Sequence, residues 1–365
     1  TDALDGHLAL RRQSGDVILT DPRMKLGLTA LGLDLQAAAN QVTAHLEVGT
    51  TEAGSMQAEG HARVVRENGS FMLPRSAPLA WTAQAKLPDL HMLRSFLPHG
   101  VKTEARLALD LAGSGTLAAP VLNGTLAADD IRFSMVEEGI LIRDGVIRLK
   151  LDDNTVMVSE GILEGQTGRI RLQGAAAWRN PAGGLTLNFE NFAALFRSDR
   201  HLWLSGTTRL GYADGRVQLE GDLRADKARL EMPEAGRPRL SDDVVVAGRA
   251  PRTDPTARRI RLDLNLRFDL GEDFLFKGAG LDARLGGKIR VFTLNNALRG
   301  EGSIQVKKGR YSAYGQTLDI ERGNLTFTGP LENPALDILA IRKTDDVTAG
   351  VKVTGTVERP LVTAS

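Results

Sequence analysis

The sequence predicts an all-β protein assembled as a repetitive stack of hairpins. Three observations lead there: a strict apolar–polar alternation that recurs along most of the 365 residues, a composition rich in glycine and poor in aromatics, and segments that match one another in register. Glycine occurs 39 times, which suits frequent turns better than long helices. Hydrophobic residues make up 42% and aromatic residues only 5%, so the apolar surface is aliphatic.

The clearest alternation is RIRLDLNLRFDL, residues 259–270. Ile260, Leu262, Leu264, Leu266, Phe268 and Leu270 occupy every second position, with Arg261, Asp263, Asn265, Arg267 and Asp269 between them. A period of two puts all the apolar groups on one face of a strand and the polar groups on the other. At about 3.3 Å per residue the apolar stripe runs for roughly 40 Å, well beyond a typical strand. The same pattern marks strands at Leu79 to Leu87, Ala105 to Leu111, Ile140 to Leu151, Leu185 to Phe189 and Ile304 to Val306. Two short segments carry a helical spacing instead. In Asp89 to Leu97, Leu90, Leu93 and Leu97 share a face behind an Asp cap and before Pro98. In Asn191 to Phe196, Phe192, Leu195 and Phe196 share one behind Asn191.

Self-comparison supports repeats. GTLAADDIRFSM (Gly124 to Met135) matches GSIQVKKGRYSA (Gly302 to Ala313) and GDLRADKARLEM (Gly221 to Met232). The first pair continues in register without a gap: Ile140, Ile142, Gly145, Ile147 and Leu149 correspond to Leu318, Ile320, Gly323, Leu325 and Phe327. A second recurring unit places Pro five residues after Gly, at Gly115/Pro120, Gly329/Pro334 and Gly355/Pro360. Proline lacks a ladder donor and therefore marks a strand start or an edge. Two one-sided apolar faces either close on each other as a sandwich or leave an open trough, and alternation by itself permits both.

Composition excludes several function classes. The net charge is +1, with 46 basic and 45 acidic residues interspersed, so there is no electrostatic footprint for nucleic acid. The absence of cysteine removes disulfides, thiol catalysis and zinc–thiolate sites. The six histidines (7, 45, 61, 91, 99 and 201) show no metal-ligand spacing. The pairs Asp129-Asp130, Asp152-Asp153, Asp242-Asp243 and Asp345-Asp346 sit among turn residues, where Asp is favoured for backbone reasons. Gly278-Ala-Gly280 lies between strands with no helix after it, which is not a phosphate loop. The expectation is a protein without catalytic residues, cofactor or metal; a β-helical glycan-active enzyme and a surface adhesin are the competing readings. Thr1 opens in mid-pattern, without an initiator Met, so a fragment of a longer chain is expected.

The last third resembles the C-terminal region of the TamB family. The segments are DLGEDFLFKGAGLDARLGGKIRV (Asp269 to Val291), GSIQVKKGRYSAYGQTLDIERGNLTFTGPLENPALDILAIR (Gly302 to Arg342) and AGVKVTGTVERPLV (Ala349 to Val362). Matching positions include Gly271, Phe274, Gly278, Leu281, Asp282, Gly309, Tyr311, Tyr314, Gly323, Phe327, Gly329, Pro330, Asn333 and Pro334. The resemblance implies β-taco repeats over 1–258 and a TamB-like region over 259–365 that stops short of the family's C-terminal end. A β-taco is a long sheet folded lengthwise around an apolar groove. It also implies an inner-membrane anchor outside this chain, a periplasmic location, and an Omp85-type outer-membrane barrel (TamA-like) as partner. The implied roles are phospholipid transport between membranes and assembly of outer-membrane proteins.

The residues expected to line the groove and meet phospholipid acyl chains are Leu107, Leu109, Leu126, Phe133, Ile142, Ile147 and Leu149 in the middle of the chain. They continue with Ile260, Leu262, Leu264, Leu266, Phe268 and Leu270, then Ile304, Val306, Tyr311, Leu318, Ile320, Leu325, Phe327, Leu336 and Ile338. Tyr311 and Tyr314 are candidates for the groove lip, ring inward and hydroxyl outward. Val351, Val353 and Val357 form a possible edge strand, open to β-augmentation by an unfolded barrel strand.

Overall fold

The structure is a computed structural model. It describes residues 3–20, 23–67, 69–90, 97, 100–232, 261–278, 280–313, 316–343 and 348–364. The chain divides into two compact units, Thr1–Gly183 and Gly184–Ser365. Every regular element among the described residues is a β-strand.

The first unit contains β1 (Gly6–Arg11), β2 (Ile18–Thr20), β3 (Arg23–Lys25), β4 (Leu28–Ala38), β5 (Gln41–Thr50), β6 (Ser55–Arg63), β7 (Val65–Glu67) and β8 (Ser70–Met72). It continues with β9 (Leu79–Leu87), β10 (Val101–Gly115), β11 (Pro120–Met135), β12 (Ile140–Asp152), β13 (Thr155–Gly165) and β14 (Arg169–Ala177). The main sheet runs β1-β4-β5-β6-β9-β10-β11-β12-β13-β14, antiparallel throughout. The pairs β2–β3 and β7–β8 are separate small hairpins.

At the junction lies β15 (Ala182–Phe196). The second unit goes on with β16 (Arg200–Ala213), β17 (Arg216–Glu231), β18 (Arg261–Asp269), β19 (Phe274–Gly278), β20 (Leu281–Leu294) and β21 (Ala297–Ala313). It ends with β22 (Gln316–Pro330), β23 (Ala335–Lys343), β24 (Thr348–Thr356) and β25 (Pro360–Ala364). Here β18 and β19 act as one interrupted strand: both pair parallel to β17 and antiparallel to β20. The simple hairpin stack expected from the sequence fails at this one step. A parallel pair needs a long connection; β17 ends at Glu231 and β18 begins at Arg261.

The matched segments fall on three equivalent long strands, β11, β17 and β21, and each carries a bulge at the charged pair five and six residues after the glycine that opens its matched segment (Gly124, Gly221 and Gly302). The extra residue is Asp130 in β11, Asp226 in β17 and Lys307 in β21. Likewise β12 and β22 are bulged at the corresponding positions Arg143 and Glu321. A bulge inserts one residue and reverses the parity of the alternation. That is why the inward residues of β11 are Leu126 and Ala128 before Asp130, and Ile131 and Phe133 after it.

The same effect corrects one sequence expectation. Residues 191–196 are not a helix but the end of strand β15. Asn191 has φ of 45° and its N–H donates to Ser205 Oγ at 3.0 Å. Beside this left-handed residue, Phe189 and Phe192, three apart, lie 6.1 Å from each other, centroid to centroid. A kinked strand thus imitates a helical spacing. The other expected helix, 89–97, falls almost wholly outside the described residues.

The glycine–proline units are turns. Gly115 pairs with Pro120 and Gly355 with Pro360, each pair flanking a four-residue loop whose first and last residues, Thr116 with Ala119 and Thr356 with Arg359, exchange reciprocal backbone hydrogen bonds. Both glycines have φ near +90° (91° and 92°), and a Cβ on either would sit 2.4 Å from the carbonyl oxygen of Ala119 or Arg359. Gly355→Val should therefore destabilise the second unit by about 1–3 kcal/mol, read as a lower midpoint in urea unfolding, whereas Arg359→Ala, at an exposed side chain of the same loop, should leave the midpoint in place.

Candidate functional site

Because side chains alternate in a ladder, registered pairing turns each strand's stripe into rows that cross the sheet. In the first unit Leu31, Val48, Met56, Ala85, Leu109, Leu126, Leu149 and Val158 are successive partners from β4 to β13. At roughly 4.8 Å per strand this row is about 34 Å long. The next row is Leu87, Leu107, Ala128, Ile147 and Gly161. Phe133 and Ile142 face each other beyond the bulges, on the same face. All seven lining candidates in the middle of the chain therefore share one surface.

The second unit repeats the arrangement. Leu223, Phe268, Ile289, Gly302 and Phe327 form one row, and Leu202, Ala228, Phe274, Leu285 and Val306 another. Leu262, Leu264 and Leu266 pair with Val217, Leu219 and Gly221. Ile304, Leu325 and Leu336 are consecutive partners, and Tyr311 pairs with Leu318. Ile320 meets Ala340, and Ile338 meets Gly323. Leu270 ends the β18 stripe and packs with Ala225, Ala228 and Phe274. Ile260 and Tyr314 lie outside the described residues. So do Asp242-Asp243 and Asp345-Asp346.

Sequence reading missed the N-terminal part of this surface (Leu31, Val48, Met56, Ala85) and the β16–β17 part (Leu202, Leu223, Ala225, Ala228). The alternation Val217, Leu219, Gly221, Leu223 was there to be read; the N-terminal stripe is diluted by alanine and glycine. Trp81 belongs to this face as well. Its partners Gly60 and Gly113 leave the indole room to lie on the sheet: a Cβ on Gly113 would stand 2.1 Å from the ring.

Burial on this face is shallow. Among the described residues no large side chain is fully buried, and the most buried positions in the second-unit core are Ala228 and Ala225 at 0% and 1% exposure. Phe327, Ile142 and Leu270 are buried, most other lining candidates are half-buried, and Leu262 and Tyr311 remain 55% and 40% exposed. A closed sandwich buries its large aliphatic side chains completely. These faces do not.

The possible edge strand is an internal one. β24, which carries Val351 and Val353, is paired on both sides, with β23 and with β25. Val357 lies past its end, where its N–H donates to the Pro334 carbonyl at 3.2 Å. The AGVKVTGTV pattern looks like an edge only when the short strand β25, bearing Leu361 and Val362 at 62% exposure, is overlooked.

The opposite face is charged. Asp222 and Arg267 form a two-point pair, Arg290 reaches Glu301 at 3.2 Å, and Lys288 reaches Asp269 at 3.2 Å. With Arg224 they wall an open cleft of about 660 Å³ floored by the backbone of Leu223, Phe268 and Ile289. Asp269 also accepts the N–H of Gly271 at 2.9 Å, which shapes the break between β18 and β19. That backbone hydrogen bond, aided by Lys288 and Arg224 and opposed by partial burial, holds its carboxyl below the ordinary 3.8. A folded-state pKa below the unfolded one gives stability that is present above the unfolded value and lost as pH falls through the folded one. Acid unfolding below about pH 4 should accordingly be shallower for Asp269→Asn than for the parent chain, with the variant less stable at neutral pH; a pH series of urea melts measures both.

With this geometry in hand, comparison with known proteins is informative. The TamB C-terminal domain family matches residues 160–365, more than half of the chain. The chain belongs to the TamB family. It is also 27% identical over 311 residues to the translocation and assembly module subunit TamB of Haemophilus influenzae, an alignment covering 80% of this chain and 24% of that protein. The chain thus spans about a quarter of that relative's length.

Proposed function

We propose that the apolar face serves as a conduit for phospholipid acyl chains crossing the periplasm between the inner and outer membranes. The parent protein would be anchored in the inner membrane of a Gram-negative bacterium and meet an Omp85-type barrel at the outer one. The observation that carries this reading is the pair of continuous aliphatic faces whose large side chains are left partly exposed. Exposing a tail of about 16 methylenes to water costs roughly 13 kcal/mol at about 0.8 kcal/mol per CH₂. An aliphatic face offers the tail a bilayer-like solvent, so movement along it is nearly isoenergetic, while headgroups stay in water. A smooth lining with few aromatics suits traffic better than a deep well. The role is not catalytic.

A second reading, a scaffold for assembling outer-membrane β-barrels or autotransporters, is favoured by the assembly module named for the relative. Native mass spectrometry of gently purified protein, with organic extraction, separates the two. The conduit predicts co-purifying phospholipid in several stoichiometries, abolished by Leu264→Arg or Leu318→Arg, each of which places a charge on the apolar face. Well-folded variants that still carry lipid would count against a continuous groove. An apo mass with no uptake of labelled lipid from vesicles would put the scaffold first.

A further inference from the structure

The apolar faces place their aromatic side chains by depth. In the inner rows of the second unit the aromatics are Phe268, Phe274 and Phe327, which carry no hydrogen-bond donor. Among the described residues every Trp or Tyr on an apolar face stands within three residues of a strand end. Trp81 lies between Gly60 and Gly113, close to the turn that joins Gly115 to Pro120. Tyr212 faces Val217 beside the turn at Asp214-Gly215. Tyr311 lies between Leu281 and Leu318, where Ser312 and Thr317 hydroxyls bond each other at 3.1 Å just beyond it. The other two tryptophans are elsewhere: Trp203 pairs with Lys227 on the charged face, and Trp178 follows the end of β14.

An amphipathic ring settles where an apolar layer meets water. That preference builds the Trp and Tyr girdles at the two edges of a membrane's hydrocarbon band. The apolar faces reproduce this order on a protein surface, with aliphatic and Phe rows inside, Trp or Tyr at the rim and polar turns beyond. The rim donors are also available. Trp81 is half-buried, Tyr212 and Tyr311 are 39% and 40% exposed, and none of the three has a hydrogen-bond acceptor among the described residues.

We propose that these rims seat the glycerol esters of phospholipid, with Trp81 Nε1–H and the Tyr212 and Tyr311 hydroxyls donating to ester carbonyls while the acyl chains lie inward across the aliphatic rows. The inference rests on the conduit reading and adds the orientation of the cargo to it. Tyr212 and Tyr311 mark opposite ends of the strands, and at about 3.3 Å per residue along β17 their rows are roughly 45 Å apart. One leaflet's hydrocarbon is about 15 Å thick, half of a bilayer's, so each rim holds its own lipid.

The test uses the whole chain with Trp81 as its one tryptophan (Trp178→Phe, Trp203→Phe), its fold checked by circular dichroism. It is loaded from vesicles of phosphatidylcholine brominated either next to the ester or near the methyl end, and the vesicles are then removed by sedimentation. Bromine next to the ester should quench Trp81 fluorescence at least about twofold more than bromine near the methyl end. In the parent chain, Trp81→Phe, Tyr212→Phe and Tyr311→Phe together keep a ring at each rim and remove the donors, and should lower retained lipid about fivefold. Equal quenching, stronger quenching from the methyl end, or undiminished retention by the triple variant would overturn the proposal and leave the conduit standing. No lipid in the extract of the loaded parent chain would sink the conduit, and this seating with it.

Discussion

The phase of the side-chain alternation governs everything else in this protein. A ladder with a period of two carries its apolar stripe across the sheet only while every strand stays in even register with its neighbour. One uncompensated residue would turn a whole stripe to water and end the apolar face at that strand. The long strands accordingly do not bulge at random. Asp130, Arg143, Ser159, Asp226, Lys307 and Glu321 are inserted along bands that cross neighbouring strands, so the flips coincide and the face continues.

The bulges also explain the chemistry at these bands. The inserted residue and its neighbour cannot both belong to the apolar stripe, and charged pairs such as Asp129-Asp130, Asp226-Lys227 and Lys307-Lys308 occupy the site without burying a charge. Arg106 and Arg148 then pair with Asp130 and Asp129, at 2.5 and 2.6 Å. Such partly exposed bridges contribute little stability each. They mark the polar side of each repeat and keep the opposite side purely aliphatic.

Shallow burial follows from the same architecture. Strands with no helices packed on them among the described residues leave their large apolar side chains half in solvent, and the most buried positions include alanines such as Ala225, Ala228 and Ala283. Exposure of this kind is a liability in a closed domain and an asset in a surface that must accept apolar chains.

Alternation in Leu79 to Leu87, Ile140 to Leu151 and Ile260 to Leu270 determined the strands, and the matched segments determined the repeat, because period and self-similarity are local properties of the chain. The residues of the apolar face were legible for the same reason, even where parity switched between Leu126 and Phe133. Three things were decided only by tertiary pairing. Residues 191–196 became strand because Asn191 could be held in a left-handed conformation by Ser205 of the next strand. β24 became internal because β25 pairs with it. The charged row Asp222, Arg267, Arg290, Glu301 exists only because residues far apart in sequence are brought opposite one another by register, a relation that no single stretch of the chain contains.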